Sequence, residues 1–347
     1  MHRTHDGIVL IAKQSGITSF SSLWQIKNAL GTKKIGHTGT LDTFADGLLV
    51  ALSGRLTRLA PFVTGCDKEY LASILFGTET DTLDPDGLVL REAPLPRYSE
   101  IQAVLPSFHG TIMQKPPAYS ALHVDGQRAS DLVRKGEAVD IPAREITIHS
   151  IEITRCYASG GDVLAPDSPI SRLDLRIACS KGTYIRSIAR DIALQTGSAA
   201  HLGNLRRTRI GPFSLEDAAG FSMLSPFGTT EPAQYGVGEK PPQVPSAEIL
   251  AKVQDYTRGV ALIVGLPPVE LDESMLVSFR NGKHPEYSWF SKESQVLMRK
   301  QEGNLAGSAQ GQSSQRRFSV FCGEMFMGVI SASASRPVYD FVIGDQT

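Results

Sequence analysis

The chain has 347 residues, 41% of them hydrophobic and 20% charged, with a formal net charge of −1. That length allows two domains, or one with an appendage, and supplies enough apolar surface for a real core. The near-neutral balance excludes a globally basic nucleic-acid binder, so any such site must be a local patch. Cys66, Cys156, Cys179 and Cys322 share no CxxC or Cys/His metal spacing and read as reduced, mostly buried thiols of a cytoplasmic protein. No apolar run approaches about 18 residues and no charged-then-apolar leader opens the chain, so neither a membrane span nor a signal peptide is expected.

In chain order, Gly7 to Lys13 is an apolar run that predicts a strand. A helix follows from about Phe20 to Leu30, capped by Thr18 or Ser19 and stopped by Gly31, with Leu23, Ile26 and Leu30 on its apolar face. Gly54 to Ala60 and Pro61 predict a helix start and a turn. Lys68 to Gly77 alternates, with Tyr70, Ala72, Ile74 and Phe76 on one face of a covered strand. The acidic stretch Thr78 to Gly87 misses the spacing of a calcium loop and reads as an Asx-type turn. A short helix is expected over Tyr98 to Phe108, a strand over Gly110 to Gln114, and an extended Lys115–Pro116–Pro117 entry. Gln127 to Lys135 predicts a short basic helix ended by Gly136. Strands over Glu145 to Tyr157 and Leu173 to Cys179 flank a hairpin loop, and a helix opens near Tyr184–Ile185–Arg186 and ends at Gly197.

Residues 180–210 hold Lys181, Arg186, Arg190, Arg206, Arg207 and Arg209 against Asp191 alone. This run is the best candidate for a phosphate-binding surface. Residues 227–245 read as a linker-like stretch, and 246–260 as a helix. Apolar runs at Ala261–Val264, Met275–Phe279, Ser294–Met298, Arg317–Phe321 and Met327–Ile330 suggest a small all-β module, with a mobile loop over Gln301 to Gln315. The expected division is a unit over residues 1–260 and a module over 261–347.

One stretch stands out chemically: Gly36-His37-Thr38-Gly39-Thr40-Leu41-Asp42-Thr43-Phe44-Ala45-Asp46-Gly47. Glycines permit positive φ and close backbone approach, so this should be a shaped loop carrying a carboxylate near a histidine. Taken alone, Asp42 reads first as a turn cap, Tyr70 as a core residue, and Tyr184 with Arg186 as an ordinary helix start. Nucleotide-binding glycine motifs, the Gly-x-Ser-x-Gly elbow and His-Glu-x-x-His are absent from the sequence. What is left is a loop Asp that an arginine could keep ionised, together with tyrosines.

The string Gly-His-Thr-Gly-Thr-Leu-Asp-x-x-Ala-x-Gly-Leu-Leu resembles the catalytic motif of TruB-type pseudouridine synthases. The resemblance continues in Lys68-x-Tyr70, Asp81-Thr82-Leu83-Asp84, Gln114 to Ala121, Ser180 to Arg186 and Leu205 to Phe213, all within about residues 7–220. It implies an α/β (α+β) core with a central, mostly antiparallel sheet flanked by helices, followed by a small β-rich, PUA-like module. It implies isomerisation of uridine 55 in the T arm of tRNA, without cofactor or metal, by a monomer with no obligate protein partner. Asp42 would be the nucleophile, Arg186 its ion-pair partner, and Tyr70 a stacking residue that could also assist the final proton removal. His37 would occupy space vacated by flipped nucleotides, Tyr184 would line the pocket, and Lys68, Lys181 and Leu202 complete the expected substrate-binding set. A flipped base needs such a stacking aromatic and such a filler.

The chain departs from the family pattern at Thr43 and Phe44, where Pro and Leu are usual, at His123, where Lys is usual, and at Ala129–Ser130, where an aromatic is usual. The rival readings are a guide-RNA-dependent relative working in a ribonucleoprotein, and a non-catalytic RNA chaperone that keeps the fold.

Overall fold

The computed structural model describes residues 6–124, 126–137, 139–159, 165, 167–228, 242–299, 316–333 and 335–344. Strand β1 (Gly7–Lys13) leads to helix α1 (Ser19–Leu30) and to β2 (Ile35–His37), β3 (Asp46–Ser53), α2 (Ala60–Thr64) and β4 (Lys68–Phe76). A small hairpin, β5 (Thr78–Thr80) and β6 (Val89–Glu92), precedes α3 (Tyr98–Val104), β7 (Gly110–Gln114), β8 (His123–Val124), β9 (Gln127–Arg128) and α4 (Ala129–Arg134). Two long strands, β10 (Arg144–Ala158) and β11 (Ile170–Cys179), then α5 (Ile185–Gln195), β12 (Ala200–Ile210) and β13 (Phe213–Ser214) complete the first part. There follow α6 (Ser246–Ala251), β14 (Val253–Gln254), α7 (Arg258–Ile263), β15 (Pro268–Glu270), α8 (Leu276–Arg280), α9 (Lys292–Arg299), β16 (Arg317–Cys322), β17 (Met325–Ser331) and β18 (Val338–Val342).

The large sheet has the order β14-β1-β3-β12-β4-β11-β10-β7, with β13 added to β12 and β2 to β3. Its pairings are antiparallel except β3 with β12, which run parallel through Arg206↔Asp46 and Arg207↔Gly47. Strand β1 is an unbroken apolar run because both its faces are covered: Ile8, Leu10 and Ala12 face one cluster, Val9 and Ile11 another. Thr18 caps α1 by accepting the Ser21 N–H, and Gly31 ends it at φ 62°. Tyr70, Ala72, Ile74 and Phe76 enter a common core with α3, α5 and the loop residues Leu41, Phe44 and Ala45.

Several sequence expectations change in the structure. Strand β12, in the middle of the sheet, is not expected from the sequence, because its arginines read as surface. The stretch 246–260 is not one helix: α6 ends at Ala251, β14 follows, and α7 begins only at Arg258. Three of the five C-terminal apolar runs belong to short helices, α7, α8 and α9, so helices accompany the four-stranded β15-β16-β17-β18 sheet. Of the cysteines, Cys179 is buried while Cys66, Cys156 and Cys322 are half-buried, all four as free thiols. The expected loop over Gln301 to Gln315, most of the linker-like stretch and the middle of the β10–β11 loop lie outside the described residues. Among the described residues, no helix is long and apolar enough to cross a membrane.

Candidate active site

A backbone carbonyl buried without a donor is costly, so a loop keeps a fixed shape when each of its carbonyls finds one. The loop between β2 and β3 meets that condition from Gly39 to Ala45. Arg207 donates to the carbonyls of Gly39 (3.1 Å) and Thr40 (3.4 Å). The Ser19 hydroxyl donates to Leu41 O at 3.1 Å and accepts the Leu41 N–H at 2.8 Å. Ala45 N–H donates to Asp42 O, and Gly16 N–H to Thr43 O. Ser15 donates to Phe44 O at 2.7 Å, and the Lys13 ammonium to Ala45 O at 2.7 Å. The junction of β1 with α1 therefore grips the later part of the loop, and β12 grips the earlier part. Gly47 is obligatory here: its φ is +108°, and a Cβ would stand 2.4 Å from the Arg207 carbonyl. Gly39 also has positive φ. Gly36, in β2, has no such constraint.

With its backbone fixed, the loop presents Asp42, whose side chain is 35% exposed, to Arg186, whose side chain is 6% exposed. Arg186 Nη2 donates to Asp42 Oδ1 at 3.0 Å. Its Nε lies 3.0 Å from Oδ2, but without hydrogen-bond alignment, so the contact is an ion pair with one well-formed hydrogen bond. Arg186 Nη1 donates to Thr82 O (2.7 Å) and Asp84 Oδ2 (3.2 Å), and Nη2 also to Tyr119 O (3.1 Å). A buried guanidinium with this many acceptors is held rigidly. Asp84 is the partner that sequence reasoning missed. The acidic turn does cap itself as expected, Asp84 Oδ1 accepting from Thr82 Oγ1 and Asp86 N–H, yet its other oxygen serves Arg186. Burial raises the Asp84 pKa, against the hydrogen bond from Thr82 and the charge of Arg186. Leu83, between these two partners, has φ 61°, a strained geometry for leucine that sets Thr82 O and Asp84 on one guanidinium nitrogen.

The segment Gln114 to Tyr119 runs along the start of α5 and fixes it. The Gln114 amide accepts the Tyr184 N–H at 2.9 Å and donates to the Tyr184 carbonyl at 3.1 Å. Lys115 O accepts from Ser187 and Arg190. Tyr184 is half-buried, with the Arg144 guanidinium 5.1 Å from its ring centre. Tyr70 is 9% exposed, shares a core cluster with Leu41 and Phe44, and sits opposite Arg207 in the β4–β12 ladder. Burial raises its pKa, and Arg207, by charge and by hydrogen bond, opposes the rise.

The remaining expected residues scatter. His37, on β2, is half-buried, its Nδ1 without a hydrogen-bond partner; burial and then Arg207 lower its pKa. Lys68 turns away to Thr64 O and Cys66 O at 2.6 and 2.5 Å, and burial first, with Arg207, lowers it to about 8. Lys181 is exposed in a cleft of about 1050 Å³, beside Arg58, Arg209, Arg317 and Phe341. Leu202 is fully buried, its N–H donating to Leu83 O, so it packs beneath the Asp84 turn. The basic run is mostly internal: Arg206 is paired with Asp46 through two hydrogen bonds of 2.7 and 2.6 Å, and Arg190 with Asp191. Lys13 was also missed. It is 1% exposed, and burial lowers its pKa to about 7 against the charges of Asp46 and Asp42. A lysine closing an otherwise wholly apolar strand was the available signal.

The sequence profile of the TruB family pseudouridylate synthase N-terminal domain matches residues 27–185. A tRNA pseudouridine synthase B of Treponema denticola is 41% identical over 97% of this chain and 98% of its own length. The chain belongs to the TruB family of pseudouridine synthases. A Treponema pallidum protein named tRNA pseudouridine synthase B is 46% identical over 68% of this chain and 70% of its own length. The fold is shared with a Cbf5–Nop10–Gar1 complex (TM-score 0.60, 20% identity, 97% of this chain and 84% of that chain). An archaeal box H/ACA Nop10–Cbf5 complex gives 0.59 at 19% identity, over 97% of this chain and 85% of that one. Thr43 and Phe44 follow the loop aspartate in this chain. The structure places Phe44 in the core, 4% exposed, and gives Thr43 an exposed side chain with a doubly held carbonyl.

Proposed function

We propose that this chain isomerises uridine 55 in the T arm of tRNA to pseudouridine, with Asp42 as the nucleophile acting on a flipped-out uridine. The observation that carries the reading is a half-exposed carboxylate on a fully hydrogen-bonded loop, ion-paired to a buried arginine. The relatives at 41 and 46% identity, both named tRNA pseudouridine synthase B, support the substrate. Arg186 pairs with the Asp42 carboxylate and aims it. The bond from C1′ to N1 breaks, the detached base turns, and C1′ bonds to C5. The proton on C5 leaves and N1 gains one, so the reaction is redox-neutral and needs no cofactor or metal. Tyr70 stacks on the base and Tyr184 lines the pocket, while His37 occupies the gap left by the flipped nucleotide. Lys181 and its neighbours in the cleft meet backbone phosphates. Residues 1–260 carry catalysis, and residues 261–347 form a PUA-like module that adds RNA affinity. The protein acts as a cytoplasmic monomer without an obligate protein partner.

The test is purified protein with unmodified tRNA transcript and no guide RNA, scored for pseudouridine at position 55. Product is expected from the wild type. Asp42→Asn should give none while binding tRNA at near wild-type affinity. No product from stoichiometric wild-type protein would sink the reading and favour a guide-dependent or non-catalytic role.

A further inference from the structure

We infer that Arg207 is a positioning residue for this reaction: its buried guanidinium, directly across the sheet from Tyr70, sets the backbone just before Asp42. The inference rests on the roles of Asp42 and Tyr70 proposed above. Arg207 is 1% exposed and lies on β12, between β3 and β4. Its three guanidinium nitrogens go to three carbonyls of one neighbouring segment: Nε to Leu48 at 2.9 Å, Nη1 to Thr40 at 3.4 Å and Nη2 to Gly39 at 3.1 Å. The Thr40 carbonyl belongs to the peptide that enters Leu41, and the next peptide enters Asp42. Leu41 alone separates the arginine's grip from the residue that carries the carboxylate.

The ladder places Tyr70 directly opposite Arg207, on the same face of the sheet, and the Arg207 charge opposes the rise that burial gives the Tyr70 pKa. One rigid cation therefore holds the nucleophile's loop from the strand position that neighbours the stacking aromatic. A planar fork with donors at fixed angles can serve three carbonyls at once, whereas an ammonium is a compact point charge on a flexible stem. Arg206, one residue earlier, points to the other face of the strand. It anchors Asp46 and the Ser225 carbonyl, which makes it a control for general disturbance of β12.

The experiment measures single-turnover proton release from C5 on unmodified tRNA transcript, with tRNA affinity and thermal unfolding for each variant. Arg207→Lys should lower the single-turnover rate about 100-fold, the cost of a misplacement on the order of 1 Å, with tRNA affinity unchanged. Arg206→Lys should keep the rate. If Arg207→Lys does not fold, Gly39→Ala probes the same contact from the loop. Its new Cβ would face Arg207 Nη1 at 3.7 Å on a backbone at φ +120°, so the Gly39 peptide must turn, and the same rate loss at unchanged affinity is expected. A folded Arg207→Lys or Gly39→Ala protein with the wild-type rate overturns the inference. So does an equal loss in Arg206→Lys, which would make the effect one of strand packing. A wild type that forms no product refutes the proposed function instead.

Discussion

Two groups of cations in this molecule contrast sharply. Beneath the Asp42 loop, Lys13, Arg186 and Arg207 are buried, and their donors go to protein carbonyls and carboxylates. In the cleft beside the C-terminal sheet, Arg58, Lys181, Arg209 and Arg317 are exposed. Burying a cation carries a heavy desolvation cost, which is offset only when each donor is satisfied in good geometry. The buried group therefore fixes shape, and the exposed group, screened by salt, is the one proposed to supply attraction. Members of both groups lie within one run of sequence, Lys181 and Arg209 exposed and Arg186 and Arg207 buried.

The sharpest way to break this division is at Arg186. Arg186→Lys keeps the charge but cannot reach Asp42, Asp84, Thr82 and Tyr119 together. Single-turnover pseudouridine formation should fall roughly 100-fold, with tRNA affinity close to wild type. A comparable loss of affinity would move Arg186 into the RNA-binding group. Removing the exposed cations should do the converse. Lys181→Ala combined with Arg209→Ala should weaken tRNA binding at every salt concentration and lower the salt slope by about one for each phosphate left without its cation. The single-turnover rate at saturating protein should stay at wild-type level, and an unchanged salt slope would show that the cleft does not meet phosphates.

Lys13 offers a subtler test. Unfolded, it titrates at the ordinary 10.5, and folded at about 7. Between those values the unfolded chain holds the extra proton, so stability rises with pH from about 7 to about 10.5, while below about 7 the full cost of burying the ammonium remains. Lys68, lowered to about 8, acts in the same direction but is common to both proteins compared. The wild type should therefore gain on Lys13→Met by up to about 1.4 kcal/mol per pH unit across that window. Urea unfolding of both proteins from pH 7 to 9.5 measures this, and a difference that stays flat would mean that Lys13 keeps its charge on folding.

The residues that the structure gathers around Asp42 were legible as a set only through the resemblance, since each taken alone reads as ordinary. Glycines crowd Asp42, and Gln114, Tyr184 and Arg186 stand in compact blocks that the fold brings together. What could not be read were the long-range duties of ordinary-looking residues. Asp84 satisfies the local pattern of a turn cap, and nothing near it in sequence announces an arginine 102 residues away. Strand β12 was hidden because Arg206 and Arg207 break the apolar pattern expected of a central strand, their charges being answered by Asp46 and by loop carbonyls. The helices α7, α8 and α9 span five to eight residues, too few turns for an amphipathic period to separate them from strands.

The two departures beside Asp42 make the smallest prediction. Proline, the residue the family resemblance leads one to expect at position 43, would restrict the backbone there, and threonine looks like a looser choice. In the structure the position is held through its carbonyl, which accepts from Gly16 N–H at 2.8 Å and from Lys13 at 3.3 Å, and Phe44 anchors the next residue in the core. Thr43→Pro leaves that carbonyl in place, so its effect should come mainly through the unfolded chain, a stabilisation of about 0.4–1 kcal/mol if the native backbone accepts the ring. Turnover should stay close to wild type, because the groups around Asp42 keep their places. Single-turnover rates with urea unfolding on the same protein separate the two effects. A large gain in rate with proline restored would show that backbone entropy at position 43, rather than the ring of donors beneath the loop, limits how well Asp42 is aimed.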